Sequence, residues 1–390
     1  MENEITAVFI ADLHIGAMPL EQTKKEFKII EDYYLKKTHI NISIIGGDFF
    51  DHKLYANSEY ISFALYAMNF ICSHSSIVRI VYGTKSHEWD QYSIFNLIDI
   101  CDYKVIKHVS TEELYGLNIL YLPEEHIYDK DEYYEEFFNE DNKYDYVFGH
   151  GVIEEVMSEA VRHTDKKVER LRVPTFKSSE LDRICKGKVY FGHYHIYSNI
   201  DDKIFYCGSF SRYKFGEDRE KGFISFNYKN KKYKDIFITN TEALNYMTIG
   251  FGFNDKILYD EDAFYDKLQK IKNNKNLIYD KLRIVVNIPE DHNNPDFIMK
   301  VLQDTFRDSD SIKVTIANGY IKKLRENSKQ KVKEFMNKFG FLFDKELPLE
   351  EKTRLYLLEH DNYELQSEKI KKYNSEKLQD IIRDWIIKIV

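Results

Sequence analysis

The chain of 390 residues lacks any excess of basic charge: 56 Lys and Arg face 65 Asp and Glu, a formal net charge of −9. That excludes a coat protein that wraps a polyanion by bulk electrostatics, so such a contact must use a local patch or bound cations. Cysteine is also sparse. Cys72, Cys101, Cys185 and Cys207 form no Cys-x-x-Cys pair, which argues against a zinc knuckle or a disulfide scaffold and fits a reducing compartment. No apolar run reaches membrane-spanning length, and the N-terminus carries no secretory signal pattern. The expectation is a soluble chain of the cytoplasm with no membrane partner. Internal repeats and low-complexity tracts are missing too, while the length is ample for two or three domains with a sizeable core.

What is present is a set of short apolar runs that stop at chemistry. Ile42 to Ile45 reads as a buried strand broken by Gly46-Gly47 and followed at once by Asp48 and Asp51. Val8 to Ala11 runs into Asp12-x-His14, Ile77 to Tyr82 into Gly83-Thr84-Lys85-Ser86-His87-Glu88, Tyr146 to Gly149 into His150, and Val189 to Gly192 into His193-x-His195. One Asp after Gly is ordinary turn chemistry, and one His is most often a satisfied imidazole. Five strands ending alike point instead to a metal site at one sheet edge, where ligands of α/β folds gather.

The residue types suit two dications. A pair of ions about 3.5–4 Å apart clamps a phosphodiester and activates water for in-line attack. Asp48 is the natural bridge; Asp12, His14 and His195 can complete one ion, and His150 and His193 belong with the other. Imidazole and carboxylate without thiolate favour Mn, Fe or Zn over Ca or sulfur-bound zinc.

These motifs, in this order and spacing, resemble the calcineurin-type metallophosphoesterases, and most closely the SbcD-type nuclease subunits of double-strand-break repair complexes with their phage relatives. Tyr206-Cys-Gly-Ser209 through Phe215-Gly-Glu217 and Lys221-Gly-Phe223 is similar to the segment after that group's last metal His. The resemblance covers roughly residues 5 to 240 and implies a DNA exo- or endonuclease with two divalent ions, Mn²⁺ foremost and Mg²⁺, Fe²⁺ or Zn²⁺ as alternatives. Abundant Tyr, Lys, Ile and Asn fit an AT-rich genome such as that of a large phage, and hence a host cytoplasm.

One motif departs from the pattern. The family writes Gly-Asn-His-Asp, with Asn on the second metal and His as the catalytic imidazole. Here two residues are inserted, His87 keeps the His role, and the Asn position falls to Ser86, or to Thr84 if the gap lies otherwise. A hydroxyl is a weaker ligand than an amide carbonyl. Two alternatives to an active nuclease stay open: a non-nuclease phosphodiesterase or phosphatase of the same superfamily, which would share the metal site, or a catalytically impaired subunit that binds DNA ends, which would fit a damaged third motif.

The expected fold is α/β, two stacked mixed sheets flanked by helices over residues 1–242, then a small α+β cap domain (243–323) and a helical C-terminal segment (324–390). Amphipathic helices are expected over Glu21 to Lys37 and Asn57 to Ile71, with their aromatics in the core, and an acidic, solvated helix over Lys130 to Asn139. Strand–helix alternation from Asp260 to Ile316 marks the cap, which in the family helps to hold DNA. The basic stretch Arg162 to Arg172 can be an exposed loop or track a DNA backbone. Helical stripes over Lys331 to Phe343 and Glu368 to Ile389, with Ile381, Trp385 and Ile389, can bury on their own domain. By resemblance they dock on the coiled-coil root of an SbcC-type ATPase. The family also forms homodimers, though no heptad seam marks one here.

Overall fold

The computed structural model describes residues 4–317 except 38, 97, 128, 140–142, 157–174, 231, 253–254, 275–276, 278, 289–291, 293 and 308–311, together with 347–348. The Arg162–Arg172 stretch and the helices expected beyond residue 324 lie outside the described residues. Two mixed sheets dominate. The first holds β1 (Ile5–Ile10), β2 (Ile40–Ile45), β3 (Ser75–Val81), β4 (Asp102–Ile106), β13 (Gly222–Lys229) and β14 (Lys232–Thr239), in the order β14-β13-β1-β2-β3-β4. The second holds β5 (Ser110–Leu114), β6 (Leu117–Leu122), β7 (Tyr144–His150), β10 (Cys185–Gly192), β11 (Ser198–Ile200) and β12 (Ile204–Tyr206), ordered β11-β12-β10-β7-β6-β5. β1 to β4 are parallel, as are β6, β7, β10 and β12; antiparallel strands close both edges of the second sheet and one edge of the first.

The period of two in a strand explains how the sheets meet. Tyr146 and Phe148 on β7 and Tyr190 on β10 join the core shared with the first sheet, while Val147, Val189 and Phe191 join a second core on the outer face. Across the sheets Phe9 lies 5.8 Å from Phe148 and 5.7 Å from Tyr190, and Phe226 lies 4.9 Å from both Tyr146 and Tyr190. Each such pair adds about 0.5–1.5 kcal/mol beyond its buried area. The result is a rigid slab that fixes where the strand ends fall.

Helices cover the outer faces. α1 (Leu20–Leu35) buries Phe27, Ile30 and Tyr34, and α2 (Glu59–Ser73) starts at the Ser58 cap, whose hydroxyl accepts from Ile61 N at 3.3 Å. Phe63, Ala67 and Ile71 of α2 are buried as well, so these aromatics do serve the core. One-turn helix α3 (Lys85–Glu88) follows β3. The acidic helix is shorter than expected: α4 runs only Lys130–Tyr134. It is also not a fully solvated face, because Tyr134 is buried against Phe138 and Phe176. A short β8 (Val152–Ile153) and β9 (Thr175–Phe176) pair precedes α5 (Ser178–Ile184), whose Leu181 and Ile184 cover the second sheet.

The described residues fall into two compact units: those within 4–249, 270–284 and 312–313, and those within 250–269, 285–307, 314–317 and 347–348. Beyond the two large sheets stand β15 (Tyr246–Phe251), β16 (Lys281–Asn287) and β17 (Ile312–Ala317), ordered β15-β16-β17, with α6 (Glu261–Lys272) and α7 (Pro295–Phe306). Asn294 caps α7 and Pro295 opens it, the usual chemistry of a helix start. His292 bonds the Leu258 carbonyl through Nε2 at 2.6 Å. Among the described residues no helix is long and apolar enough to cross a membrane.

Candidate metal centre

Each side chain of the centre hangs from the C-terminal end of a parallel strand. β1 leads to Asp12 and His14, β2 to Asp48 and Asp51, β3 to Thr84 and His87, β6 to Glu124, β7 to His150, and β10 to His193 and His195. There the strands stop and turn, so charged groups from both sheets meet without entering the apolar slab. The backbone is bent to bring them in. Asp12 (φ +51°), His14 (+43°), Asp48 (+48°) and His193 (+104°) all sit at positive φ, a cost of roughly 1–3 kcal/mol for each non-glycine residue. His14 N donates to Asp48 O at 2.9 Å and Asp12 N to Gly47 O at 3.1 Å, which holds two of these turns against each other. Two glycines are required by space. A Cβ on Gly47 (φ +87°) would stand 2.2 Å from His150 Nδ1, and one on Gly83 would stand 2.4 Å from Asp48 N and Oδ1.

Four overlapping donor groups result, two of which share no member: Asp12, His14 and His195 form one, and Glu124, His150 and His193 the other; His14, Asp51 and His87 form a third, and Asp12, Asp48 and His150 a fourth. Asp48 lies between the first two, its Oδ2 being 3.8 Å from His14 Nε2 and 3.4 Å from His150 Nε2. The donors fit cations. His195 Nδ1 is committed to Glu217 Oε1 at 2.8 Å and His150 Nδ1 to Gly46 O at 2.7 Å, so each presents a bare Nε2 to the centre. Among the described residues, buried His150 Nε2 has no hydrogen-bond partner, nor has His193 Nδ1, which faces Glu124 Oε2 at 3.1 Å. His14 Nε2 and His195 Nε2 stand 3.0 Å apart.

The electrostatics point the same way. Burial opposes charge on Asp48, but His150, His14 and His87 overcome it and hold the carboxyl well below the ordinary range. Burial likewise opposes charge on His14 and His150, yet nearby carboxylates, Asp51 first for His14 and Asp48 first for His150, raise both. A site that attracts protons this strongly exchanges them for a dication as one binds. Glu88, buried beside Asp48, is pushed up to about 8 by desolvation and then by the Asp48 carboxylate.

The segment from Tyr206 to Phe223 orients these side chains. Glu217 is buried and held at about 2, its desolvation outweighed by His195 and then by Lys221. Lys221 Nζ lies 3.2 Å from Glu217 Oε2 and donates to His195 O and Ser209 Oγ at 2.7 and 2.8 Å. Tyr213 donates its hydroxyl to Leu13 O at 2.6 Å and packs its ring on His14 and His195. Glu217→Gln is expected to weaken Mn²⁺ binding about 10- to 100-fold without unfolding the chain, because it removes the charge that fixes the His195 tautomer. Calorimetric titration with Mn²⁺ checks this, and unchanged affinity would remove Glu217 from the site.

All six expected Asp and His ligands therefore gather at one edge, and His87 stands beside them with Nε2 4.0 Å from Asp48 Oδ2. The hydroxyl positions separate. Ser86 is exposed on α3, and among the described residues no hydrogen bond ties it to the centre. Thr84 faces inward, its Oγ1 donating to Glu124 Oε2 at 3.0 Å and its N to Asp48 Oδ1 at 2.6 Å. Lys85 is exposed. Glu124 and the contacts of Asp51 and Glu217 with His14, His87 and His195 go beyond the residues expected from the sequence. The signal for Glu124 was present, since Leu117 to Leu122 is one more apolar strand that runs into a carboxylate. The chain matches no protein-family model, and a search of curated proteins finds no significant match.

Proposed function

We propose that this chain is a metal-dependent phosphodiesterase that cuts DNA, a nuclease subunit of SbcD type acting with an SbcC-type ATPase in recombination, repair or DNA degradation. One observation carries the reading: Asp, Glu and His side chains from five strand ends converge into two donor clusters with Asp48 between them. Asp12, His14, Asp48 and His195 would hold one ion, and Asp48, His150 and His193 the other. When bound, the ions supply charge stabilisation for the phosphodiester and a nucleophile at neutral pH. The chain itself does the positioning. Glu217 and the Gly46 carbonyl fix which imidazole nitrogen faces the centre, and the Asp51 carbonyl does the same for His87. His87 is the group placed to stabilise the phosphate or protonate the departing oxygen.

DNA as substrate rests on the resemblance of residues 5–240, motif order included. In this reading residues 243–323 contribute to DNA binding and residues 324–390 engage the ATPase; Mn²⁺ is the first metal to try. The test is cleavage of linear duplex and single-stranded DNA by the purified chain with Mn²⁺, beside hydrolysis of a small aryl phosphodiester. Metal-dependent degradation of DNA is expected. Ester hydrolysis with no cleavage of DNA, even with the ATPase added, would assign another substrate class. No hydrolysis of either would leave a binding protein.

A further inference from the structure

The third motif lacks the amide that the resembled family places on its second metal, and the inserted hydroxyls do not supply it. Ser86 is exposed. Thr84 spends its hydroxyl proton on Glu124 and its backbone N–H on Asp48, and so acts as a strut between two carboxylates. Glu124 is the carboxylate that faces the imidazoles of the second cluster. Its side chain is 2 % exposed, and its Oε2 lies 3.1 Å from His193 Nδ1 and 3.7 Å from His150 Nε2.

We propose that Glu124 is a ligand of the second metal ion and takes the coordination position of the missing amide. Three observations converge on it. First, a buried carboxylate needs a compensating charge, and among the described residues no Lys or Arg pairs with Glu124; its ionic neighbours are the two imidazoles. Second, the imidazole atoms that face it, His150 Nε2 and His193 Nδ1, are, with His14 Nδ1, the buried imidazole nitrogens without hydrogen bonds among the described residues. Third, its position is fixed from both sheets. It follows β6 directly, its backbone N donates to Tyr82 O at 3.0 Å, and Thr84 orients the carboxylate. With Glu124 included, each ion has two imidazoles and two carboxylates, one of them the shared Asp48. The second site then carries one more negative charge than an amide would give, which strengthens its hold on hard, oxygen-preferring dications such as Mn²⁺ and Mg²⁺.

The proposal rests on the metal-centre reading above, and its test does not use catalysis. The full chain, stripped of metal, is titrated with Mn²⁺ by calorimetry, and the Mn²⁺-induced rise in melting temperature is followed in parallel. The wild type is expected to bind two ions. Glu124→Gln, nearly isosteric, should keep one and weaken the other about 10- to 100-fold, with a smaller melting shift and unchanged metal-free circular dichroism. Thr84→Val should weaken the same site less, and Ser86→Ala should leave both sites intact. Two wild-type affinities in Glu124→Gln would overturn the assignment, as would loss of the second ion in Ser86→Ala. A wild type that binds two ions yet cuts no DNA would sink the nuclease reading and leave Glu124 standing. A wild type that binds no Mn²⁺ would sink both.

Discussion

Asp48→Asn is expected to reduce Mn²⁺-dependent DNA cleavage by roughly three orders of magnitude or more and to lower the bound Mn²⁺ below two per chain. The substitution isolates charge. Asn tolerates positive φ better than most residues, so the +48° backbone at this position is kept at little cost, and the side-chain oxygen can still accept from Thr84 N. What disappears is the anion common to His14, His150 and His87, whose nitrogens lie 3.8, 3.4 and 4.0 Å from Oδ2. Two ions cannot be held close together without an anionic bridge, so both sites suffer from one change. Asp48→Ala removes the same charge but also strains the turn, because Ala pays the full penalty for positive φ. Near-wild-type cleavage by a folded Asp48→Asn chain would refute the two-metal reading itself.

Much of this centre was legible because strand periodicity and ligand position coincide. Tyr146 to Gly149 and Val189 to Gly192 are apolar at every position, as strands covered on both faces must be, and the first polar residue beyond each is an imidazole of the centre. Helices α1 and α2 were legible for a similar reason, since one face of each repeats apolar residues at helical spacing. Other features depend on tertiary facts. Glu124 and Glu125 are neighbours of identical type. Yet Glu125 accepts from Val109 N and Tyr133 as part of the scaffold, whereas Glu124 reaches the centre. Their tertiary partners tell them apart, Tyr82 and Thr84 for Glu124 and Val109 and Tyr133 for Glu125. The edge strand β5, Ser-Thr-Glu-Glu-Leu, alternates polar and half-buried positions with too little apolar content to stand out. The helix expected over Lys130 to Asn139 ends after Tyr134, where Tyr134 and Phe138 pack on Phe176. Local propensity carries no record of such long-range contacts.

His87→Ala is expected to lower DNA cleavage by about 10²- to 10⁴-fold while the chain keeps both Mn²⁺ ions and its melting temperature. Unlike His14 and His150, His87 is not buried: its side chain is 32 % exposed, at the rim of the centre, where substrate can meet it. Its Nδ1 is bonded to the Asp51 carbonyl, which turns Nε2 toward Asp48. Two roles fit this placement, and the leaving group separates them. If His87 protonates the departing oxygen, an aryl phosphodiester with an acidic phenol needs that proton far less, and the loss in the variant should shrink to a few-fold. If His87 stabilises charge on the phosphate, the loss should be similar for DNA and for the aryl ester. A third role is written in the geometry as well, because His14, Asp51 and His87 themselves bring donor atoms together. Should His87→Ala release one Mn²⁺, His87 is a ligand, and the fall in cleavage reports an empty site instead of a missing acid. Should cleavage survive with both ions in place, His87 has neither role, and the catalytic group lies elsewhere at this sheet edge.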